Sequence, residues 1–267
     1  MMRTAGALPG RPDRLRLARL SRLIAAPALV MLGSWGWLGL MIGDMSRIPG
    51  MASMMMAPHL ISPGMVLGLF VMWAVMMAAM MLPTAAPMIV AYARMQAGDR
   101  ATGSGWLPVA AFSAGYVIVW MVFSLGAAGL QAVLTGLALM SPMVMTSAAP
   151  VSGALLIGAG LYQFSPLKQS CLRLCQSPMS FLLTRWQDGP RGALRMGLSH
   201  GAYCVGCCWA LMGVLFAVGV MNTAWIVAIT AYVLAEKVMP RSAVISKALG
   251  AGLFGFGLWI LAQPLIA

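Results

Sequence analysis

Three cysteines, a histidine and a methionine lie at helical spacing in one apolar stretch of the sequence. They are His200, Cys204, Cys207, Cys208 and Met212. Residues three or four apart share a face of an α-helix, so a helix here would present a stripe of sulfur and imidazole groups. Such a set favours a soft metal, and Cu(I) is the first candidate. Zinc, which accepts three cysteines and a histidine, is less favoured because the chain is rich in methionine. The alternative is that the cysteines are small apolar residues filling the core.

Methionine is unusually frequent, with 26 residues in the chain. Five of these share two neighbouring stripes of a second predicted helix: Met72, Met76, Met77, Met80 and Met81. They predict a path of thioether ligands, the alternative being a methionine-rich packing face. The segment before this helix holds another group: Met54, Met55, Met56 and His59. Because an exposed loop gains nothing from thioethers, this group predicts a landing site for a soft metal. Its alternative is a segment that dips into the membrane interface.

Two further cysteines, Cys171 and Cys175, lie four residues apart in a basic segment. A helical turn would place them together as a metal-binding or dithiol pair, and reduced surface thiols are the alternative. Five cysteines are an odd number, and they do not form the framework of a secreted disulfide-rich protein.

Composition predicts an integral membrane protein. Hydrophobic residues make up 61% of the chain and charged residues 8%, whereas a soluble domain has about a quarter charged residues. The mean hydropathy is +0.89. The net charge of +12 comes from short basic clusters beside apolar segments, as in membrane proteins, so the lipid bilayer is expected as a partner and nucleic acid is not.

The expected fold is all-α, a polytopic transmembrane bundle of about seven helices. A basic cytoplasmic tail, 1–23, precedes a single polytopic membrane domain, 24–267. The predicted helices are 24–43, 64–91, 107–130, 150–164, 196–219, 224–239 and 247–261. Residues 134–149 form a loop or a re-entrant segment. With seven spans and the N-terminus inside, every one of the 17 basic residues except Arg47 falls on the inner side. This asymmetry favours a multi-pass protein of seven helices with an inside N-terminus.

Polar residues inside the predicted helices also need partners. Glu236 and Lys237 stand together at the end of a helix, and a local ion pair between them is expected, with a proton or metal relay as the alternative. Another helix has a mildly polar face, for which hydrogen bonds between helices are expected. Its residues are Tyr116, Trp120, Ser124 and Gln131.

Several motifs resemble one known family. They are the run MWAVMMAAMMLP at 72–83, the run CVGCCW at 204–209, and shorter matches at 162–172, 211–212, 219–222 and 236–237. Together they resemble the bacterial family of predicted metal-binding integral membrane proteins over about residues 64–237. The resemblance implies a metal-binding, multi-pass protein of the bacterial cytoplasmic (inner) membrane and leaves its activity open.

The expected function is Cu(I) handling, by transport, delivery or sequestration, without enzymatic catalysis. Cys204, Cys207 and Cys208 would form the tight site, completed by His200 or Met212. A copper chaperone or a copper-dependent membrane enzyme is the expected protein partner. Two alternatives stay open at this point: a membrane thiol-disulfide oxidoreductase using Cys204 and Cys207, and a structural subunit of a membrane complex with no metal role.

Overall fold

The computed structural model describes residues 11–43, 62–97, 106–140, 147–240 and 242–266. Its regular structure is helical, apart from one isolated antiparallel bridge between Met140 and Ser147. The helices of these residues are α1 (Arg11–Gly43), α2 (Pro63–Ala97), α3 (Leu107–Gly136), α4 (Ala149–Tyr162), α5 (Pro166–Gln176), α6 (Pro178–Arg185), α7 (Gly189–Val218), α8 (Thr223–Val238) and α9 (Ser242–Ile266). The all-α class is therefore confirmed.

Five of these helices are long and apolar enough to cross a membrane. The candidate spans are Leu20–Leu40, Pro63–Gln96, Leu107–Gly136, Gly189–Val218 and Ser242–Gln263. Helices α4 and α8 have 14 and 16 residues, so at 1.5 Å per residue they fall short of a hydrocarbon core about 30 Å thick. The count of seven spans and the inside N-terminus stay predictions.

The helix boundaries differ from the sequence prediction mainly where basic residues adjoin an apolar run. Helix α1 begins at Arg11 and α7 begins at Gly189, each well before the predicted start. The predicted bounds followed the apolar runs, whereas a helix can continue through charged residues beyond the end of such a run. Helix α3 continues past Gln131 to Gly136. Of the predicted loop or re-entrant segment 134–149, only its two ends are described.

The predicted loop between the fourth and fifth apolar segments contains two helices, α5 and α6. The hydroxyl of Ser165 caps α5 by accepting a hydrogen bond from the Leu167 amide, and Pro166 occupies the first turn, where it costs no hydrogen bond. The buried residues of α5 follow helical spacing: Lys168, Cys171, Leu172 and Cys175. The two cysteines therefore do share one helix face.

Small residues allow the central helices to approach closely. Helix α7 packs against α3, α4, α5 and α8. A Cβ atom added at Gly197 would lie 2.0 Å from the carbonyl oxygen of Phe112 in α3, and one at Gly115 would lie 2.3 Å from the carbonyl oxygen of Leu194. The α3–α7 crossing is thus set by backbone contact.

Helices α2 and α7 meet through large side chains. Helix α2 packs against α1, α3 and α8, and Trp73 reaches α7 by stacking on Phe216 with 5.0 Å between ring centroids. Its indole nitrogen donates to Gln131 at 2.6 Å, one of the expected hydrogen bonds between helices. The space between α2 and α7 belongs to one buried core that contains the methionines and the three α7 cysteines.

The contact at Gly197 predicts that adding one methyl group there strongly lowers the stability of the protein. G197A should lower the free energy of unfolding by roughly 1–3 kcal/mol, because α3 and α7 must separate. Thermal unfolding in detergent would measure this loss. The matched control is G213A in the same helix, where no atom of the described residues lies within 4 Å of the added atom. Equal melting temperatures of G197A and G213A would contradict the close crossing.

Candidate metal centre

The three cysteines of α7 form a compact buried group. The sulfur atoms of Cys204, Cys207 and Cys208 all lie within 4.8 Å of one another, and the residues are at most 1% exposed. Three sulfurs around one ion, with metal–sulfur bonds of about 2.3 Å, lie about 4 Å apart. Small side-chain rotations would therefore bring these sulfurs into a common coordination sphere.

Helical geometry produces this group. The thiols of Cys207 and Cys208 both donate to the carbonyl oxygen of Cys204, at 3.1 and 2.9 Å. Residues three and four positions after Cys204 return to its face one turn later, and the thiols bond back to the preceding turn. The spacing seen in the sequence is enough to bring these three sulfurs together.

His200 lies on the same stripe but not in the cysteine group. Its ring stacks on Phe112 and Tyr116 and meets Phe181 edge to face, with centroids 5.5 to 6.1 Å apart. The residue is 1% exposed, and neither ring nitrogen has a hydrogen-bond partner among the described residues. His200 is therefore a buried histidine with two unsatisfied ring nitrogens, one turn before Cys204.

Cys171 and Cys175 lie in α5, which packs against α7. Both are buried, so the alternative that they are surface thiols is wrong. A Cβ atom at Gly206 would lie 2.8 Å from the Cys171 sulfur, so the absence of a side chain at Gly206 lets α5 approach beside Cys207. Burial raises the pKa of the Cys171 thiol, and nearby Cys207 acts in the same direction. Neither α5 cysteine belongs to the group of three.

The predicted methionine ligands of the helices are completely buried. Each has 0% exposure: Met72, Met76, Met77, Met80, Met81 and Met212. They share one core with the cysteines, which fits both a thioether path and a packing role. The predicted landing site, Met54, Met55, Met56 and His59, lies outside the described residues.

Two residues that the sequence analysis did not assign to the site, Lys237 and Tyr116, contact the Cys204 sulfur. The ammonium nitrogen of Lys237 lies 3.1 Å from the Cys204 sulfur and donates to the Thr84 hydroxyl at 2.8 Å. The Tyr116 hydroxyl lies 3.1 Å from the same sulfur and donates to the Met81 carbonyl oxygen at 3.0 Å. Tyr116 links α3 to α2 as expected, and it also reaches the metal-ligand candidates.

The expected ion pair between Glu236 and Lys237 is wrong. Both carboxylate oxygens of Glu236 accept hydrogen bonds from Lys168 of α5, at 2.7 and 2.9 Å. Tyr232 donates to the same carboxylate at 2.6 Å, and Ser246 of α9 also donates to it. Consecutive helix residues point in different directions, so Glu236 faces this network while Lys237 faces Cys204.

The comparisons with known proteins support a copper role. A model of the PpoB2 family, described as a copper chaperone, matches residues 70–260. The chain belongs to this copper-chaperone family. The match includes all three α7 cysteines, the α5 cysteines, Lys237 and the methionines of α2 from Met72 onward. No curated protein and no solved structure matches the chain. The family and the cysteine group together indicate copper handling.

The Glu236 network predicts that the stability of the protein depends strongly on Lys168. K168M would leave a carboxylate buried without its cation, which should lower the free energy of unfolding by about 3–5 kcal/mol. The double variant K168M/E236M removes both charges and should be more stable than K168M. Thermal unfolding of the two variants checks this order. A K168M variant that unfolds at the wild-type temperature would contradict a stabilising role of the Lys168–Glu236 pair.

Proposed function

We propose that this member of the copper-chaperone family is an integral membrane protein that binds Cu(I) through Cys204, Cys207 and Cys208. The observation that carries the proposal is the group of three buried sulfurs within 4.8 Å of one another. Copper is cargo in this proposal, held for delivery or transfer. The protein's role is binding and release, without catalysis.

The donor set favours a soft monovalent ion over zinc. The three sulfurs are soft ligands, and Cu(I) selects thiolates and thioethers. A structural zinc site takes four ligands, and His200 does not join the cysteine group to supply the fourth. His200 and Met212 are instead outlying ligands, one turn to either side of the cysteines along α7.

The methionines of α2 would form the neutral part of the path. Met72, Met76, Met77, Met80 and Met81 share the buried core between α2 and α7 with the cysteines. An ion leaving thioethers for thiolates moves from neutral to charged ligands and is held more tightly. Cys171 and Cys175 would offer a second thiol pair beside α7. The landing site at Met54, Met55, Met56 and His59 stays a prediction.

Exposed apolar side chains support insertion in a membrane. The most apolar stretches of α1 and α9 are only 11% and 17% buried, and residues such as Leu29, Val244 and Trp259 are at least half exposed. Such apolar faces are more stable in contact with lipid than with water. We place the protein in the bacterial cytoplasmic membrane, as the family resemblance implies. The distribution of basic residues supports an inside N-terminus, and the short helices α4 and α8 would complete seven membrane helices.

The copper-chaperone description supports delivery to another protein. The expected recipient is a copper-dependent membrane enzyme or a second copper carrier. A thiol-disulfide exchange enzyme needs an accessible thiolate, whereas all five cysteines are buried. Burial therefore favours metal holding over dithiol exchange.

Replacing the α7 cysteines should remove bound copper. Protein purified in detergent under reducing, anaerobic conditions would be loaded with Cu(I), and its copper content measured by mass spectrometry. The variant C204S/C207S/C208S should lose the copper, because serine oxygen is a hard, weak ligand for Cu(I).

The comparison variant is C171S/C175S, which removes the proposed second thiol pair and should keep the copper that the α7 cysteines hold. Thermal unfolding would show that both variants are folded. Full copper content in a folded triple variant would overturn the proposal, as would absence of copper from the wild-type protein.

A further inference from the structure

A small basic cavity lies between the end of α6 and the first turns of α7. Its volume is about 320 Å³, at the lower end of the range for small-molecule sites, about 300–1,000 Å³. Two arginines line the cavity together with three neutral polar side chains: Arg185, Arg195, Thr184, Gln187 and Ser199. Among the described residues its lining contains no acid, so the cavity is suited to an anion.

Aromatic rings and a hydroxyl group hold Arg185 at this cavity. Its guanidinium carbon lies 5.1 Å from the ring centroid of Tyr203 and 5.9 Å from that of Phe181, within the range of cation–π attraction. The same guanidinium donates to the Ser199 hydroxyl at 3.4 Å. In the described part of the chain, no carboxylate lies within ion-pair distance of Arg185 or Arg195. Most N–H donors of both guanidinium groups are therefore available to an anionic ligand.

The proposed membrane insertion places this cavity at the depth of the lipid headgroups. The run 199–218 of α7 has 20 residues and no charged one, which at 1.5 Å per residue spans the hydrocarbon core of about 30 Å. Ser199 then marks the edge of this core, and Arg195 lies beyond it. Trp186, a residue type typical of the interface, also lines the cavity and packs on Tyr92 near the end of α2, with 5.4 Å between ring centroids.

An apolar surface of α6 adjoins the cavity. Phe181 and Leu182 are buried, whereas Met179 and Leu183 are 57% and 64% exposed and share another face of the helix, four residues apart. The cavity-lining Thr184 follows Leu183 directly along the chain. A ligand with an anionic head and apolar tails would match the cavity and this surface together.

We infer that the cavity binds the phosphate group of an anionic phospholipid, whose acyl chains lie along Met179 and Leu183. Arginine suits phosphate because its planar guanidinium can donate two parallel hydrogen bonds. Basic pockets beside membrane helices bind anionic headgroups in the same way. By the proposed topology, the lipid belongs to the inner leaflet, where it would link α6 to α7. The inference rests on the proposed membrane insertion and does not depend on copper binding.

The test is native mass spectrometry of the full-length protein in detergent, titrated with phosphatidylglycerol or with phosphatidylcholine. The wild-type protein should bind phosphatidylglycerol about tenfold more tightly or better, because the choline group of the other lipid offsets the phosphate charge. R185Q/R195Q should weaken the binding of phosphatidylglycerol by about tenfold or more, because charge-assisted hydrogen bonds to the phosphate are lost.

The matched control is R173Q/R191Q, which removes two other exposed arginines of the same region and lowers the net charge equally. Its affinity for phosphatidylglycerol should stay within about threefold of wild type, and thermal unfolding would show that both double variants are folded. If R185Q/R195Q does not fold, R195Q leaves the aromatic contacts of Arg185 intact and should still weaken binding. Equal losses in the two double variants, or equal affinities of wild type for the two lipids, would overturn the lipid site.

Two further ligands distinguish the source of the anion. Inorganic phosphate that binds as tightly as phosphatidylglycerol would assign the cavity to free phosphate and overturn the lipid. A glutamate peptide that binds where phosphatidylglycerol does not would assign it to an acidic protein surface, with the same consequence. Release of the chain from membranes by alkaline carbonate would overturn the proposed membrane insertion itself.

Discussion

An apolar interior accepts an ionic group only where an opposite charge or fixed dipoles offset it. Two consecutive residues of α8 meet this condition in two ways. Glu236 is paired with Lys168 and receives two further hydroxyl hydrogen bonds, whereas Lys237 meets a cysteine sulfur. The Glu236–Lys168 pair holds the helices together. The contact of Lys237 with Cys204 places a positive charge beside the proposed metal site. The site's chemistry thus depends on the way the fold distributes its buried charges.

Close packing brings the other candidate ligands close to Lys237. Backbone contact at Gly115 and Gly197 holds α3 against α7 and sets Tyr116 beside Cys204. The missing side chain at Gly206 admits Cys171. Larger side chains separate α2 from α7, and the methionines occupy the core between them. Small residues therefore position the thiols, and long flexible thioethers fill the remaining space.

Sequence periodicity was sufficient for features that depend on one helix. The cysteine group follows from spacings of three and four residues, and the apolar runs locate the long helices. Features that depend on neighbouring helices were not predictable. Lys237 was paired with Glu236 because they are adjacent in sequence, although adjacent helix residues face different partners. His200 shares the stripe with Cys204 but lies about 6 Å along the axis, and an aromatic cluster holds it there.

The most direct test of the central claim is X-ray absorption spectroscopy at the copper edge of Cu(I)-loaded wild-type protein. We expect an edge typical of Cu(I) and a first shell of two or three sulfur atoms at about 2.3 Å. The sulfur shell should be lost in C204S/C207S/C208S. A first shell dominated by nitrogen or oxygen, or one unchanged in the triple variant, would contradict a copper centre built from the α7 cysteines.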